Sequence, residues 1–396
     1  MISNRIKEMI PSVTLAQSEK IAVLKRQGIN VIGFNIGEPD FNTPENIIRK
    51  AEEALKLGYT KYTPAAGSME LREEICNKFK RDYNLDYTVN EAIVSSGAKQ
   101  SLTNVLMAIV DPGDEVIVPT PCWISYIEMI KLTGGKPVLI SMDEDNGFDL
   151  DMEKIVSKIN HKTKAILINS PNNPTGAVYK REDLEELGKL AIEKNFYIIS
   201  DEIYEKLVYD GYENCCTASI SPEIKEKTIT INGVSKSYAM TGWRIGFAVG
   251  PKEVIKAMSD YQGHTTTGPN SPAQYASIEA LRNSDVFVEE MRKEFDSRRQ
   301  FIVNRLNEIP GINCFLPRGA FYVMPNISKF YGKSYRSFTI HNPMDMCDYL
   351  LEESRIAVVT GAAFLAPDNI RISYSNSIEN IKEGVDRMEE ALKKLK

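Results

Sequence analysis

Apolar positions along this chain follow two rhythms, and the change between them falls near residue 285. Upstream, short β-branched runs at 92–95, 115–118, 138–140, 164–168, 196–200, 228–231 and 245–249 read as buried strands, because a run apolar on both faces belongs to a sheet covered on both sides. Between some of them the spacing lengthens to that of a helix. Leu102, Val105, Leu106 and Ile109 share one face, as do Leu184, Leu187 and Leu190 in the stretch 180–194. Strands alternating with helices predict right-handed crossovers and a mostly parallel α/β sheet with helices on both faces. Ahead of it, the pattern predicts a helix within 1–28 carrying Val13, Leu15, Ile21, Val23 and Leu24. A strand over 31–36 follows, then a helix after Pro44 with Ile47, Ile48, Ala51 and Leu55 on one face. Beyond 285 the alternation stops. A charged helix over 286–306, a strand over 370–374 and a helical tail predict a smaller α+β unit. The expected division is a large domain of residues 46–284 and a small one made of 1–45 together with 285–396.

In a sheet of this kind, ligands gather beyond the carboxyl ends of the strands. Polar residues from distant parts of the chain follow those ends: Asn169 to Gly176, Asp201 to Tyr204, and Ser235 with Lys236. Lys236 lies in an excursion between two strand-like runs, with Gly233, Gly242, Trp243 and Arg244 close by. A lysine shielded there is driven toward its neutral, nucleophilic form, and Arg244 adds a planar charge suited to a phosphate. Gly97, Ala98 and Lys99 open a helix directly after a strand, which exposes backbone N–H groups and a positive dipole end to an anion. Trp123 follows another strand in a Pro-rich loop, where core packing and a stacking platform are both open readings. Gly37 in the turn GEPDF removes a Cβ where something comes close, and Tyr62 sits in a Gly/Pro-marked polar segment.

Composition narrows the class. With 396 residues, 42% apolar and 26% charged, the chain holds a large core without needing disulfides or metals. A net charge of -6 without basic blocks excludes a general nucleic-acid binder. The six cysteines form no C-x-x-C pair, and His161, His264 and His341 lack metal-ligand spacing, so no metal site and a reducing, cytoplasmic setting are expected. The first twelve residues contain no secretory apolar core, and no run approaches the ~20 apolar residues of a membrane span. Ser96 to Lys99 matches an S-x-x-K pattern, but its S-D-N and K-T-G companions are absent. Neither a G-x-x-x-x-G-K-[ST] loop nor a G-x-S-x-G elbow occurs.

Seven motifs occur in order: GEPDF from Gly37, DPGDEV from Asp111, NNPTG from Asn172, SDEIY from Ser200, SKSYAMTGWRIG from Ser235, PRGAFY from Pro317 and RISYS from Arg371. Together they span nearly the whole chain and resemble class I pyridoxal-phosphate-dependent aminotransferases, most closely the bacterial and archaeal-type aspartate aminotransferase subgroup. The resemblance implies the type I fold of these transferases, with a seven-stranded sheet, and a homodimer with shared sites. It implies that Lys236 binds pyridoxal phosphate as a Schiff base and then moves the substrate proton, and that Asp201 pairs with the pyridine nitrogen. Asn173 and Tyr204 would donate to the cofactor's phenolic oxygen, and Trp123 would stack on its ring. Its phosphate would rest on Gly97, Ala98 and Lys99, with Ser235, Arg244 and the partner subunit's Tyr62 beside it. Arg371 would grip the substrate α-carboxylate, Trp123 and Asn173 would line the substrate, and Gly37 would lie where the N-terminal loop closes. The expected reaction is transamination between an L-amino acid, aspartate first, and 2-oxoglutarate. An aromatic or broad-specificity aminotransferase, a lyase on the same fold and a ligand-sensing domain are the alternatives. Ser12 and Thr14 offer hydroxyls to a distal carboxylate; no second cation for it is apparent from sequence. One departure stands out: a Q-S-T segment of the family reads Gly263-His264-Thr265-Thr266 here, with Thr265 expected to keep a phosphate contact across the subunit boundary.

Overall fold

In the computed structural model, which describes residues 2–10, 19, 21–24 and 26–396, the apolar runs of the first rhythm assemble into one seven-stranded sheet. After a short outlying β1 (Ile32–Gly33), its strands are β2 (Ala92–Ser95), β3 (Glu115–Thr120), β4 (Lys136–Ser141), β5 (Thr163–Asn169), β6 (Tyr197–Asp201), β7 (Thr228–Gly233) and β8 (Gly246–Val249). They lie in the order β2-β8-β7-β6-β5-β3-β4. Neighbours pair in parallel from β4 to β7, while β8 runs antiparallel to β7 and β2. The expected mostly parallel sheet of seven strands is therefore present.

Helices of nine or more residues are numbered α1 (Glu45–Lys56), α2 (Met69–Tyr83), α3 (Ala98–Ile109), α4 (Ser125–Thr133), α5 (Arg181–Lys194), α6 (Lys252–Thr265), α7 (Ser271–Asn283), α8 (Asp285–Asn307), α9 (Pro343–Ser354) and α10 (Ile378–Leu392). Successive strand residues point to opposite faces, and the core divides accordingly. Ile93, Val116, Leu167, Ile199 and Ile231 pack against Leu102 and Val105 of α3 and Met258 of α6. On the other face, Val94 and Phe247 meet Ile47, Leu71, Phe79 and Ala276 of α1, α2 and α7, and Ile166 and Ile198 meet Leu184 and Leu187 of α5.

The C-terminal part adds a three-stranded antiparallel sheet. It is built from β9 (Tyr322–Val323), β13 (Val359–Thr360) and β14 (Ile370–Ser373), while β10 (Ser334–Tyr335) and β11 (Phe338–Thr339) form a hairpin and β12 (Ile356–Ala357) pairs in parallel with β1. One apolar cluster joins Ile32 and Phe34 to Phe295, Ile356, Ile372, Val385 and Met388, and continues into Tyr204 and Leu207 of the large-sheet side. The strand expected over 31–36 is much shorter. Beyond Gly33 the chain divides its bonds between two strands: the Phe34 N–H donates to Ala357 O at 2.8 Å, and its carbonyl accepts from Ser373 N at 2.8 Å. Residues 34–37 thereby leave the sheet edge and lead toward the ends of the large-sheet strands. Of the helix expected within 1–28, residues 4–7, 19, 21–24 and 26 are helical, whereas Val13 and Leu15 lie outside the described residues.

Candidate active site

A cavity of about 390 Å³ opens at the carboxyl ends of the parallel strands. One end is built for an anion. Gly97 caps α3 at φ +88°, and a Cβ there would meet the Arg244 guanidinium. A Cβ at Gly246 would collide with the Ala98 backbone nitrogen, so glycine on β8 is what lets the strand approach the start of the helix. Of the N–H groups that open the helix, that of Gln100 turns back to Gly97 O at 2.9 Å, while Ala98 and Lys99, which precede the first i−4 bond, meet the cavity beside Ser235 and Arg244. Arg244 adopts the left-handed region at φ 57°, an unfavourable conformation for a residue with a side chain, and its Nη1 donates to Thr241 O at 2.8 Å. Lys99 reaches over the Trp123 ring, with Nζ 4.6 Å from the centroid. Partial burial and the charge of Arg244 hold its ammonium below the ordinary lysine range.

Lys236 and Asp201 meet the same space. Lys236 Nζ donates to the carbonyl of Gly37 at 2.6 Å. Burial lowers its pKa, against the raising effect of Glu38; with the charges of Arg244 and Arg371 adding to the lowering, it comes to about 8. Asp201, at the end of β6, accepts from Tyr126 Oη at 2.6 Å and from the Ile203 N–H at 3.2 Å. Burial outweighs those bonds and lifts its carboxyl to about 6, so a cation placed against it draws it back to the ionised form. Tyr204 is buried and its hydroxyl lies 2.9 Å from that of Tyr322. Asn169 fixes the neighbouring loop, accepting from Asn173 N at 2.8 Å and donating to Asp201 O at 2.8 Å.

Arg371 reaches the cavity from β14, 3% exposed. Its Nη1 donates to Asn173 Oδ1 at 3.2 Å and its Nη2 to Asn35 O at 2.8 Å. The guanidinium is sandwiched between the rings of Tyr322 at 4.6 Å and Phe364 at 4.8 Å, which holds its plane fixed. Gly37 packs so closely on Tyr322 that a Cβ would stand 2.7 Å from the tyrosine oxygen. Its loop is tied down by Arg298 Nη1 to Asp40 at 2.7 Å, by Ser375 Oγ to Glu38 O at 2.6 Å, and by Thr241 Oγ1 to Glu38 Oε2 at 2.9 Å.

The turn that presents Asp201 and Tyr204 turns Glu205 and Lys206 the other way, toward α2, with Glu202 buried beside Ser200 and Thr217. Lys78 Nζ, with its side chain 1% exposed, lies 2.6 Å from Glu205 Oε1 and 3.1 Å from Asp82. Tyr83 donates to Glu205 Oε2 at 2.5 Å, and Lys206 reaches Asp82 at 2.7 Å. Burial and the nearby Glu205 push the Glu202 carboxyl up to about 8, where it accepts from Ser200 Oγ and Thr217 N.

Most of the residues expected from sequence meet in this one cavity: Gly37, Ala98, Lys99, Trp123, Asn173, Asp201, Tyr204, Ser235, Lys236, Arg244 and Arg371 line it, and Gly97 caps the helix beside it. Tyr62 does not reach it. It stands 93% exposed on the segment before α2. Thr265 is exposed and bonds only its own helix, to Tyr261 O and Gln262 O, whereas Thr266 Oγ1 accepts from Gln100 at the first turn of α3. His264 is exposed in the last turn of α6. Ser12 and Thr14 lie outside the described residues. Sequence reasoning missed Tyr126, Tyr322 and Glu38, and placed Asn169 at the site without giving it a role. Tyr322 lies inside the quoted motif PRGAFY and Glu38 inside GEPDF, and Asn169 directly follows a predicted strand, so position alone pointed to all three.

The donor set suits a phosphorylated pyridine aldehyde: helix-end N–H groups and an arginine for the phosphate, a buried carboxylate awaiting a cation, and an amine lowered to about 8. Among the described residues no cluster of metal-ligating side chains exists, and no helix is long and apolar enough to cross a membrane. Residues 29–388 match the family model for aminotransferase class I and II. The chain is 47% identical to the aspartate aminotransferase of Bacillus sp. (strain YM-2) over 99% of both proteins. It is 44% identical to the aspartate/prephenate aminotransferase of Thermus thermophilus, over 99% of this chain and 98% of the relative. Among solved structures, Thermus thermophilus aspartate aminotransferase with maleate superposes with a TM-score of 0.94 at 43% identity over 99% of both chains. The Rhizobium meliloti aspartate aminotransferase gives 0.96 at 42% identity over the full length of both. With the family model covering most of its length and relatives matching from end to end, the chain belongs to the class I and II aminotransferases, enzymes that work with pyridoxal phosphate.

Proposed function

We propose that this aminotransferase moves the amino group of L-aspartate to a 2-oxo acid, 2-oxoglutarate first among acceptors. The observation that carries the substrate choice is the set of cations at the cavity. Arg244 stands at the helix end, Arg371 is clamped between Asn173 and Asn35, and Lys99 rests on Trp123. A cofactor phosphate takes the first and a substrate α-carboxylate the second. Lys99 then remains for a distal carboxylate, the second cation that the sequence did not reveal. Burying a carboxylate without such a partner is costly, so a dicarboxylic substrate suits this cavity better than a neutral one. The Thermus thermophilus relative is named for prephenate as well as aspartate, which makes prephenate the second acceptor to assay.

When bound, pyridoxal phosphate supplies an aldehyde that condenses with amines and a cationic ring that withdraws electrons from the substrate Cα. The chain's own groups do the rest. The Gly97-Ala98-Lys99 turn, Ser235 and Arg244 hold the phosphate; Asp201 keeps the pyridine nitrogen protonated; Asn173 and Tyr204 donate to the phenolic oxygen; Trp123 stacks on the ring. Arg371 fixes the α-carboxylate so that the Cα proton faces Lys236, whose neutral amine takes that proton and returns it. Gly37 carries the N-terminal loop over the substrate. Two lobes, 46–284 and 1–45 with 285–396, are expected to close on it. The fully exposed aromatic at Tyr62 supports a homodimer in which that residue reaches the partner's phosphate, and the unpaired cysteines suit a cytoplasmic enzyme.

Single-turnover rates with aspartate, glutamate, phenylalanine and alanine at equal concentration test this. Aspartate is expected to be fastest, and Lys99→Met to cut the aspartate-to-alanine rate ratio at least tenfold, about 1.4 kcal/mol. Phenylalanine or alanine outpacing aspartate tenfold overturns the acidic assignment.

A further inference from the structure

Three groups with separate tasks converge on one side chain whose hydroxyl has been given none. Tyr322, on β9 and 1% exposed, presents its ring to the Arg371 guanidinium at 4.6 Å and its hydroxyl to that of Tyr204 at 2.9 Å. The same hydroxyl blocks the position of any Cβ at Gly37. Its ring also packs edge-on against Tyr204, with centroids 5.8 Å apart, and at a tilt of 49° against Phe321, with centroids 4.7 Å apart. The register of β9 on β14 places it beside the strand that carries Arg371.

A hydroxyl has one proton. If Tyr204 spends its proton on a group in the cavity, the proton between the two tyrosine oxygens must come from Tyr322. We propose that Tyr322 is a positioning residue that donates to Tyr204, fixing the direction in which the Tyr204 hydroxyl points and strengthening it as a donor, while its ring holds the plane of Arg371. This rests on the reading that Tyr204 faces the cofactor's phenolic oxygen. Hydrogen bonds in series polarise one another, so a donor that itself accepts a bond holds a negative oxygen better than one left free to rotate.

Tyr322→Phe removes the hydroxyl and keeps the ring stacked on Arg371. In reconstituted enzyme, the pH midpoint of the visible absorption of the Lys236-bound cofactor should move up by about half a unit to one unit, the scale of one lost hydrogen bond. The kcat should fall about three- to tenfold with KM for the amino acid little changed. Tyr322→Leu, which also removes the ring from Arg371, should raise KM as well. Tyr204→Phe is the control. If it shifts the midpoint while Tyr322→Phe leaves it in place, the inference is overturned and the role of Tyr204 stands. If neither variant shifts it, the Tyr204 assignment fails and takes the inference with it.

Discussion

Replacing Lys78 by methionine, close to it in volume, removes one charge from the most deeply buried ionic cluster described above. Glu205, with its side chain 2% exposed, then keeps only the Tyr83 hydroxyl, while Asp82 still has Lys206 at 2.7 Å and Arg81 at 2.9 Å. Breaking a buried pair from one side typically costs 3–5 kcal/mol because the surviving charge is stranded. With the Tyr83 bond intact, the lower end applies, about 3 kcal/mol. The double variant Lys78→Met with Glu205→Gln removes both charges and leaves Tyr83 an acceptor, so it should lie within about 1 kcal/mol of the parent. Acid adds a second reading. Burial raises the Asp82 carboxyl, but Lys78 and Lys206 outweigh it and hold it at about 2, below the ordinary aspartate range. A depressed carboxyl contributes stability above its unfolded pKa and loses it as pH falls through the folded one; here that is about 2 kcal/mol, lost between roughly pH 4 and 2. Lys78→Met should shrink that acid-sensitive part. Urea unfolding at fixed protein and cofactor concentration, at neutral pH and again in acid, measures both effects. Equal losses in the single and double variants would refute the electrostatic argument and leave Lys78 as a packing residue.

Arg371→Lys keeps the charge but loses the planar fork, so kcat/KM should drop about thirtyfold, near 2 kcal/mol, with cofactor content normal; an unchanged value removes Arg371 from the substrate. With the Lys236 amine lowered to about 8, capture of pyridoxal phosphate by apoenzyme should quicken with pH and level off above that midpoint. Stopped-flow absorbance reads the profile, and a midpoint near 10 contradicts the burial argument. Hybrids of Lys236→Ala and Tyr62→Ala chains should regain part of the activity, since one site then holds native Lys236 and native Tyr62. Purified hybrids that remain inactive place Tyr62 outside the partner's site.

The sheet was legible because strands buried on both faces are apolar without interruption, as in 164–168 and 228–231, and because loops at their ends carry the scarce polar side chains. That put Asp201, Asn173 and Lys236 together before any geometry was available. Residues whose task depends on tertiary contact stayed hidden. Lys78 lies in the string MELREEICNKFKRDY, which reads as a charged surface helix, and only the packing of α2 against the Asp201 turn buries it. Tyr126 sits among apolar neighbours in α4 and resembles core until its hydroxyl is seen on Asp201. Nor does the sequence tell which hydroxyl at the end of α6 turns toward α3: Thr266 Oγ1 accepts from Gln100, while Thr265 bonds its own helix. The brevity of β1 has the same origin: which carbonyls leave a strand is set by partners more than 300 residues away.

That distance gives the enzyme an order of assembly. The groups of the anion end, from Gly97 to Arg244, and Lys236 itself belong to the first two thirds of the chain. The loop from Phe34 to Asp40, by contrast, has most of its fixed bonds with Arg298, Ala357, Arg371, Ser373 and Ser375, the longest spanning 339 residues. At 5–20 residues per second, a ribosome needs roughly 17 to 70 s to cover that span. Until then the N-terminal loop has only Lys236 and Thr241 to bond, and contacts of such separation form slowly in a folding chain. A growing chain thus completes the groups assigned to the cofactor before those assigned to the substrate.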